Sequence, residues 1–339
     1  MTEQLSASLA GRLAAAGLDP LAVAALARAA LAEDLAGGTD VTTRATIPRG
    51  SIGEAVLAAR TAGVVAGLPV AEAVFSTAAD MLAGPGSAEP GGAGAGTAVA
   101  GGAAAGTAGH ATAGGGGAAS GSGQLAIRLL AADGDRIAAG QAVMSVSGPV
   151  GVILTAERSA LNLLCHLSGV ATVTRRWVDA LAGTGAQVRD TRKTLPGLRA
   201  LEKYAVRCGG GVNHRMSLAD AALIKDNHVA AAGSVAAAFA AVTRQAGGLP
   251  VEVECDTLEQ VSQAVAAGAE LILLDNFTTA DLASAVALVA GRARLEASGG
   301  LTLASAREVA QTGVDYLAVG ALTHSAPALD IGLDLAPAG

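Results

Sequence analysis

The only lysines of the chain, Lys193, Lys203 and Lys225, lie between residues 193 and 225, and every other cationic side chain is arginine. Two of them sit in dense polar strings, Arg189-Asp190-Thr191-Arg192-Lys193-Thr194 and Lys225-Asp226-Asn227-His228, with Asn213-His214-Arg215 between. Arginine presents a planar fork that matches a carboxylate, and lysine a compact point charge that suits phosphate. Arg192, Lys193, His214, Arg215 and Lys225 together repel one another unless an anion-rich ligand offsets them. The competing reading is a solvated basic loop. Nucleic acid is a poor candidate, because the net charge is -7 and only 2% of residues are aromatic.

Downstream, polar residues fall at the ends of apolar runs. Ala222-Leu223-Ile224 leads to Lys225, Val251-Glu252-Val253 to Glu254, and Leu271-Ile272-Leu273-Leu274 to Asp275. Arg294-Leu295-Glu296 leads to Ser298-Gly299-Gly300, and Tyr316-Leu317-Ala318-Val319 to Gly320. Glycines after the last two runs let backbone N–H groups approach a phosphate, although a lone Gly-Gly is usually only a turn. Glu254 and Asp275 could hold Mg²⁺, accept hydrogen bonds from sugar hydroxyls, or simply pair with the nearby cations. His214 is read as touching ligand, His228 as orienting a neighbour and His166 as structural. His324 is left between rim and packing roles, and no role is given to His110. Cys165, Cys208 and Cys255 fit neither a disulfide framework nor a zinc pattern, and Cys208 has no evident base partner.

The elements that must position these residues follow from periodicity. From residue 155 a long helix, about 155–183, is followed by strand-like runs alternating with helices. Such runs, apolar on both faces, suit a parallel sheet covered by helices. In a parallel α/β barrel the strand ends converge on one rim, where active sites are built. Before residue 155 the pattern is mixed: helices over about 5–16 and 20–34, and extended runs at 55–60, 126–130 and 141–146. The turn Asp133-Gly134-Asp135 lies between the last two. Residues 83–123 are dominated by Gly and Ala, with Val99 as the only large apolar side chain. That composition predicts a flexible insert. The predicted organisation is an N-terminal domain over 1–154, a catalytic barrel over 155–325 and a C-terminal tail over 326–339. The 51% hydrophobic content is mostly alanine, with no apolar run of membrane-spanning length and no signal-peptide pattern at Met1-Thr2-Glu3-Gln4. A cytoplasmic enzyme is the expectation.

Eight spaced strings make the pattern specific. Glu157-Arg158-Ser159-Ala160-Leu161-Asn162, Arg189–Thr194, Asn213-His214-Arg215 and Ile224–His228 resemble the quinolinate phosphoribosyltransferase family. So do Glu252-Val253-Glu254, Leu274-Asp275-Asn276, Ser298-Gly299-Gly300 and Val319–His324, and near the N-terminus Glu33-Asp34 and Asp40-Val41-Thr42-Thr43. The 83–123 insert departs from the family pattern. The resemblance implies an α/β protein: an N-terminal α/β sandwich followed by an open parallel α/β barrel, assembled as a homodimer. It implies transfer of phosphoribose from 5-phosphoribosyl 1-pyrophosphate to quinolinate with decarboxylation, a step in NAD synthesis that uses Mg²⁺. Carried over by motif, Arg192, His214, Arg215 and Lys225 bind quinolinate, joined by Arg158 from the partner subunit. Thr191 and Lys193 face the ribosyl donor. Glu254 and Asp275 hold ribose hydroxyls and Mg²⁺, and Ser298, Gly299, Gly300 and Gly320 cradle the 5′-phosphate. Alternatives are a homologous phosphoribosyltransferase with another acceptor, a Schiff-base aldolase using Lys225, and a non-catalytic anion-binding homologue. Lys203 receives no role beyond lining the same basic approach.

Overall fold

The structure, a computed structural model, describes residues 5–83 and 125–336. The Gly/Ala insert lies outside the described residues except for Ala83, and so does His110. Helix α1 (Ala7–Ala15) is capped by Ser6, whose side chain accepts from the Leu9 N–H, and α2 (Pro20–Leu35) by Asp19, with Pro20 at the first turn. Then follow α3 (Val41–Thr46), β1 (Ile52–Ala59), β2 (Gly63–Val64), α4 (Leu68–Leu82), β3 (Ala126–Leu129), β4 (Arg136–Ile137) and β5 (Ala142–Pro149). The Asp133-Gly134-Asp135 turn does not join β3 directly to β5; it leads into β4, which pairs with β2 in a small antiparallel ladder.

Helix α5 (Val150–Ala180) starts five residues before its predicted position. Its buried face, including Ile153, Ala160, Leu164 and Leu167, packs on α4 and on the sheet. A truncation such as Leu164→Ala is worth about 2–5 kcal/mol.

The remaining elements alternate as read from the sequence. They are β6 (Gln187–Arg189), α6 (Arg199–Cys208), β7 (Ala222–Ile224), α7 (Asp226–Ala232), α8 (Val235–Gln245), β8 (Val251–Cys255) and α9 (Leu258–Ala266). They continue through β9 (Leu271–Asp275), α10 (Thr279–Val289), β10 (Arg294–Ser298), α11 (Ala306–Gln311), β11 (Tyr316–Ala318), α12 (Ala321–His324) and β12 (Ile331–Leu335).

Strands β6 to β11 form one parallel sheet in the order β6-β11-β10-β9-β8-β7. Its edge strands do not pair with each other. Among the described residues only a single parallel bridge, Arg189 to Val212, lies beyond β6, and the strands do not close into a ring. The sheet is nevertheless curled. In a flat sheet β6 and β8 would lie four spacings apart, about 19 Å. Yet His214, two residues past that bridge, brings its Nε2 within 2.8 Å of Glu252 Oε2 on β8.

The final segment is more than a tail. β12 pairs antiparallel with β1, completing a four-stranded sheet in the order β12-β1-β5-β3. To get there the chain crosses α5 at Gly169, where an added Cβ would stand 2.2 Å from the Pro327 carbonyl oxygen. Beside that crossing the Leu329 N–H donates to the Cys165 carbonyl, 2.9 Å. Among the described residues no single helix is long and apolar enough to cross a membrane.

Candidate active site

Side chains alternate across each barrel strand, so one face looks inward and the other lies under the helices. On β8 the apolar Val253 and Cys255 are buried outward while Glu252 and Glu254 share the inner face; on β9 Leu273 and Asp275 do so, and on β10 Glu296 and Ser298. The inner face therefore has two polar levels. The upper one opens at the strand ends as a cavity of 350 Å³. Nine of the predicted site residues line it: Thr191, Arg192, Lys193, His214, Arg215, Lys225, Glu254, Asp275 and Ser298. A larger cavity of 630 Å³ opens at the opposite ends of the strands, between Phe239, Pro250, Leu271 and Tyr316, and contains none of them. Convergent chemistry, not volume, locates the site.

The cationic wall is short of partners. Arg192 Nε and Arg215 Nε are buried without a hydrogen-bond partner among the described residues. Burial, and then the neighbouring Arg192 charge, lower the proton affinity of Arg215. Buried donors of this kind call for an acceptor, and two adjacent guanidinium groups call for an anion. The main chain is held while the heads face the cavity. Arg199 donates from Nε to Thr194 Oγ1 (3.0 Å) and from Nη1 to the Met216 carbonyl (3.2 Å), tying the two cationic loops together. Thr323 Oγ1 donates to the Lys193 carbonyl, 2.7 Å.

Across the cavity, Lys225 Nζ lies 2.5 Å from Glu254 Oε2. A Schiff-base nucleophile needs a free amine, and here the amine is committed to an ion pair. The Lys225 N–H donates to His228 Nδ1, 2.9 Å, so His228 orients its neighbour through the backbone, as expected. Asp275 Oδ2 accepts from Asn276 Nδ2, 2.8 Å.

The glycine turn is sterically required. Gly299 has φ +89° and Gly300 φ +60°, both in the left-handed region. Gly320 has an ordinary φ, but a Cβ there would stand 2.9 Å from Lys193 Cδ, so its smallness makes room for the lysine stem. Arg158 is exposed on α5 and does not line the cavity of its own chain.

Below lies the second polar level. Glu296 on β10 pairs with Arg189 on β6, and its other oxygen, Oε1, lies 3.7 Å from His214 Nε2. Burial first, and then the Glu252 charge, push the Glu296 carboxyl up to about 7, against the pull of Arg189 and His214. The His214 imidazole is enclosed: the Arg215 N–H donates to its Nδ1 (2.7 Å), leaving Nε2 as the N–H that faces Glu252. The ligand atoms of His214, Glu252 and Glu296 lie within 4.8 Å of one another, close enough for a cation. Arg189 already supplies a positive charge to the group. Glu252 and Glu296 were missed as site residues. The signal was present, since each stands two positions before an inward-facing rim residue.

His166 pairs with buried Glu202, a structural contact as expected, and His324 is exposed beside Ser325. Burial pushes the Cys208 thiol up to about 11, away from the thiolate form that a nucleophile needs.

Comparison with known proteins agrees with this geometry. The model of the quinolinate phosphoribosyl transferase C-terminal domain matches residues 170–334, and that of the N-terminal domain residues 99–168. The chain belongs to the quinolinate phosphoribosyltransferase family. Across 311 residues it is 48% identical to the nicotinate-nucleotide pyrophosphorylase [carboxylating] of Mycobacterium leprae, covering 91% of this chain and 95% of that protein. It is 35% identical over 330 residues to the chloroplastic protein of that name from Arabidopsis thaliana, covering 92% and 82%. Among solved structures, NadC from Streptococcus pyogenes superposes with a TM-score of 0.77 at 36% identity, over 94% of this chain and 99% of that one. The nicotinate-nucleotide pyrophosphorylase of Francisella tularensis gives 0.76 at 33% identity, over 93% and 96%. Within the quinolinate phosphoribosyltransferase family frame, the strings Arg189–Thr194, Asn213–Arg215, Ile224–His228, Glu252–Glu254, Leu274–Asn276 and Ser298–Gly300 each contribute a residue to the rim cavity, whereas Glu157–Asn162 and the N-terminal strings do not.

Proposed function

We propose that the chain transfers phosphoribose from 5-phosphoribosyl 1-pyrophosphate to quinolinate with decarboxylation, giving nicotinate mononucleotide, pyrophosphate and CO₂ in NAD synthesis. The observation that carries this reading is one cavity with two buried guanidinium groups on one wall, each with an unpartnered Nε, and the strand-end residues Glu254, Asp275 and Ser298 on the other.

Arg192, Arg215 and Lys225 receive the two carboxylates of quinolinate, and His214 holds that wall in place. Thr191 and Lys193 face the pyrophosphate side of the donor. Ser298, Gly299, Gly300 and Gly320 cradle its 5′-phosphate. Glu254 and Asp275 accept the ribose hydroxyls. These two carboxylates are also the hard oxygen donors that Mg²⁺ takes, with water and substrate phosphates completing its shell. Bound there, Mg²⁺ would neutralise charge on the leaving pyrophosphate.

The pyridine nitrogen attacks ribose C1 as pyrophosphate departs, and positive charge grows on the sugar beside Glu254 and Asp275. Loss of the carboxylate next to the ring nitrogen leaves its electron pair on carbon, stabilised by the new glycosidic cation, and that carbon then takes a proton. The side chains thus position and neutralise, and none forms a covalent bond to substrate. Arg158, exposed on α5, joins the carboxylate-binding set of a second copy, which makes a homodimer the active unit.

The test is an assay of purified protein with the ribosyl donor, Mg²⁺ and quinolinate beside a panel of other pyridine acids. Release of CO₂ and formation of nicotinate mononucleotide are expected with quinolinate alone. No turnover of quinolinate, or faster turnover of a monocarboxylate, would overturn the reading.

A further inference from the structure

Helix α6 carries three consecutive buried residues of polar type, Glu202, Lys203 and Tyr204, on a helix that covers the barrel. Each is anchored differently. Glu202 Oε2 accepts from the Leu195 N–H (3.1 Å), and the Tyr204 hydroxyl donates to Asp133 Oδ2 (2.6 Å) in the N-terminal unit. Lys203 is the unusual one. Its side chain is 0% exposed, as is that of Asp190, to which its ammonium is bonded. Burial lowers the proton affinity of Lys203 and Asp190 opposes that shift.

The pair closes on the main chain of His214 from both sides. Lys203 Nζ donates to the His214 carbonyl at 2.9 Å, and the His214 N–H donates to Asp190 Oδ1 at 2.8 Å. Asn213 Nδ2 completes the enclosure, donating to Asp190 Oδ2 at 2.5 Å and to the Lys203 carbonyl at 2.8 Å. Asp190 also directly precedes Thr191-Arg192-Lys193. One buried ion pair therefore fixes the relative position of the two loops that carry Arg192 on one side and His214 and Arg215 on the other. A fully buried ion pair adds little net stability compared with an apolar pair of similar volume, so stability alone does not account for it.

We infer that the Lys203–Asp190 pair is a positioning device for acceptor binding: it clamps the His214 backbone and thereby sets the spacing of Arg192 and Arg215 across the acceptor's carboxylates. This rests on the function proposed above for the same cavity.

The experiment compares wild type with the double variant Lys203→Met/Asp190→Val, which removes both charges and leaves an apolar pair. Quinolinate turnover by wild type tests the function itself; only the variant tests the clamp. The expected result is a folded protein with KM for quinolinate raised about tenfold or more, and KM for the ribosyl donor changed by less than about threefold. A folded double variant with wild-type KM for quinolinate overturns the inference, and so does an equal rise in both KM values. If the double variant fails to fold, Asp190→Asn replaces it. That change keeps the volume but turns one oxygen facing Asn213 into a donor, and the same selective rise in quinolinate KM is expected. Unchanged quinolinate KM in Asp190→Asn overturns the inference equally.

Discussion

Gly299 and Asn276 interlock at the ends of adjacent strands: a Cβ on Gly299 would stand 2.1 Å from Asn276 Oδ1 and 2.9 Å from its backbone nitrogen. Asn276 itself sits at φ 58°, held by its N–H to the Ser298 carbonyl at 2.9 Å. Two left-handed residues on neighbouring strands thus build the rim jointly. Gly299→Ala is expected to lose about 1–3 kcal/mol of stability from strain and to raise KM for the ribosyl donor more than KM for quinolinate. Thermal denaturation and steady-state kinetics check it, and a variant matching wild type in both would remove the glycine turn from the donor site.

Glu254→Gln keeps the shape of the side chain and removes the charge that faces Lys225. If the carboxylate stabilises the transition state, kcat falls on the order of 10²-fold while the fold is retained. The variant should also need more Mg²⁺ for half-maximal rate. A loss confined to KM would assign Glu254 to ground-state binding instead.

Glu296 gives a pH signature. Its folded-state carboxyl sits at about 7 against an ordinary value of 4.5. Between those values the unfolded chain has released a proton that the folded protein keeps, so the contribution of this group to stability falls as pH rises through that window. Glu296→Gln does not titrate. The melting temperature of the variant relative to wild type is therefore expected to climb between about pH 4.5 and 7 and to level off above that. A flat difference would mean that Glu296 ionises normally.

The placement of Arg158 outside its own cavity is open to a mixing test. Arg158→Ala and Arg215→Ala should each be nearly inactive. Co-refolded in equal amounts, they should recover about a quarter of wild-type activity, because half the dimers are mixed and each mixed dimer has one intact site. No recovery would place Arg158 in the same site as Arg215, and an Arg158→Ala variant that is active by itself would place it outside catalysis.

Much of the rim was legible because its residues announce themselves at strand ends. Lys225, Glu254, Asp275 and Ser298 each follow an apolar run, and the fold places them around one mouth. Beneath the rim the sequence was quieter. Glu252 and Glu296 lie inside strands, where a carboxylate reads as an interruption of the pattern rather than as one level of a polar interior. Lys203 was harder still. Nothing in a helix beginning Arg199-Ala200-Leu201 states that its lysine turns inward, because its partner Asp190 comes from the loop just after β6 and their meeting is a tertiary fact. The segment after residue 326 was read as a tail because its strand pairs with the far end of the chain, and pairing partners at that separation leave no local trace.

That last pairing has a consequence for how the protein is made. Ala55 leaves the ribosome before the whole barrel, and its partner Leu335 after it. Throughout synthesis of the whole barrel, the outer edge of β1 stands open, and an uncovered strand edge invites association with other chains. Contacts so distant in sequence also close slowly. The sheet that β1 begins is therefore sealed only once β12 has been made, and damage to β12, by proteolysis or a premature stop, is felt first at a strand made before the barrel.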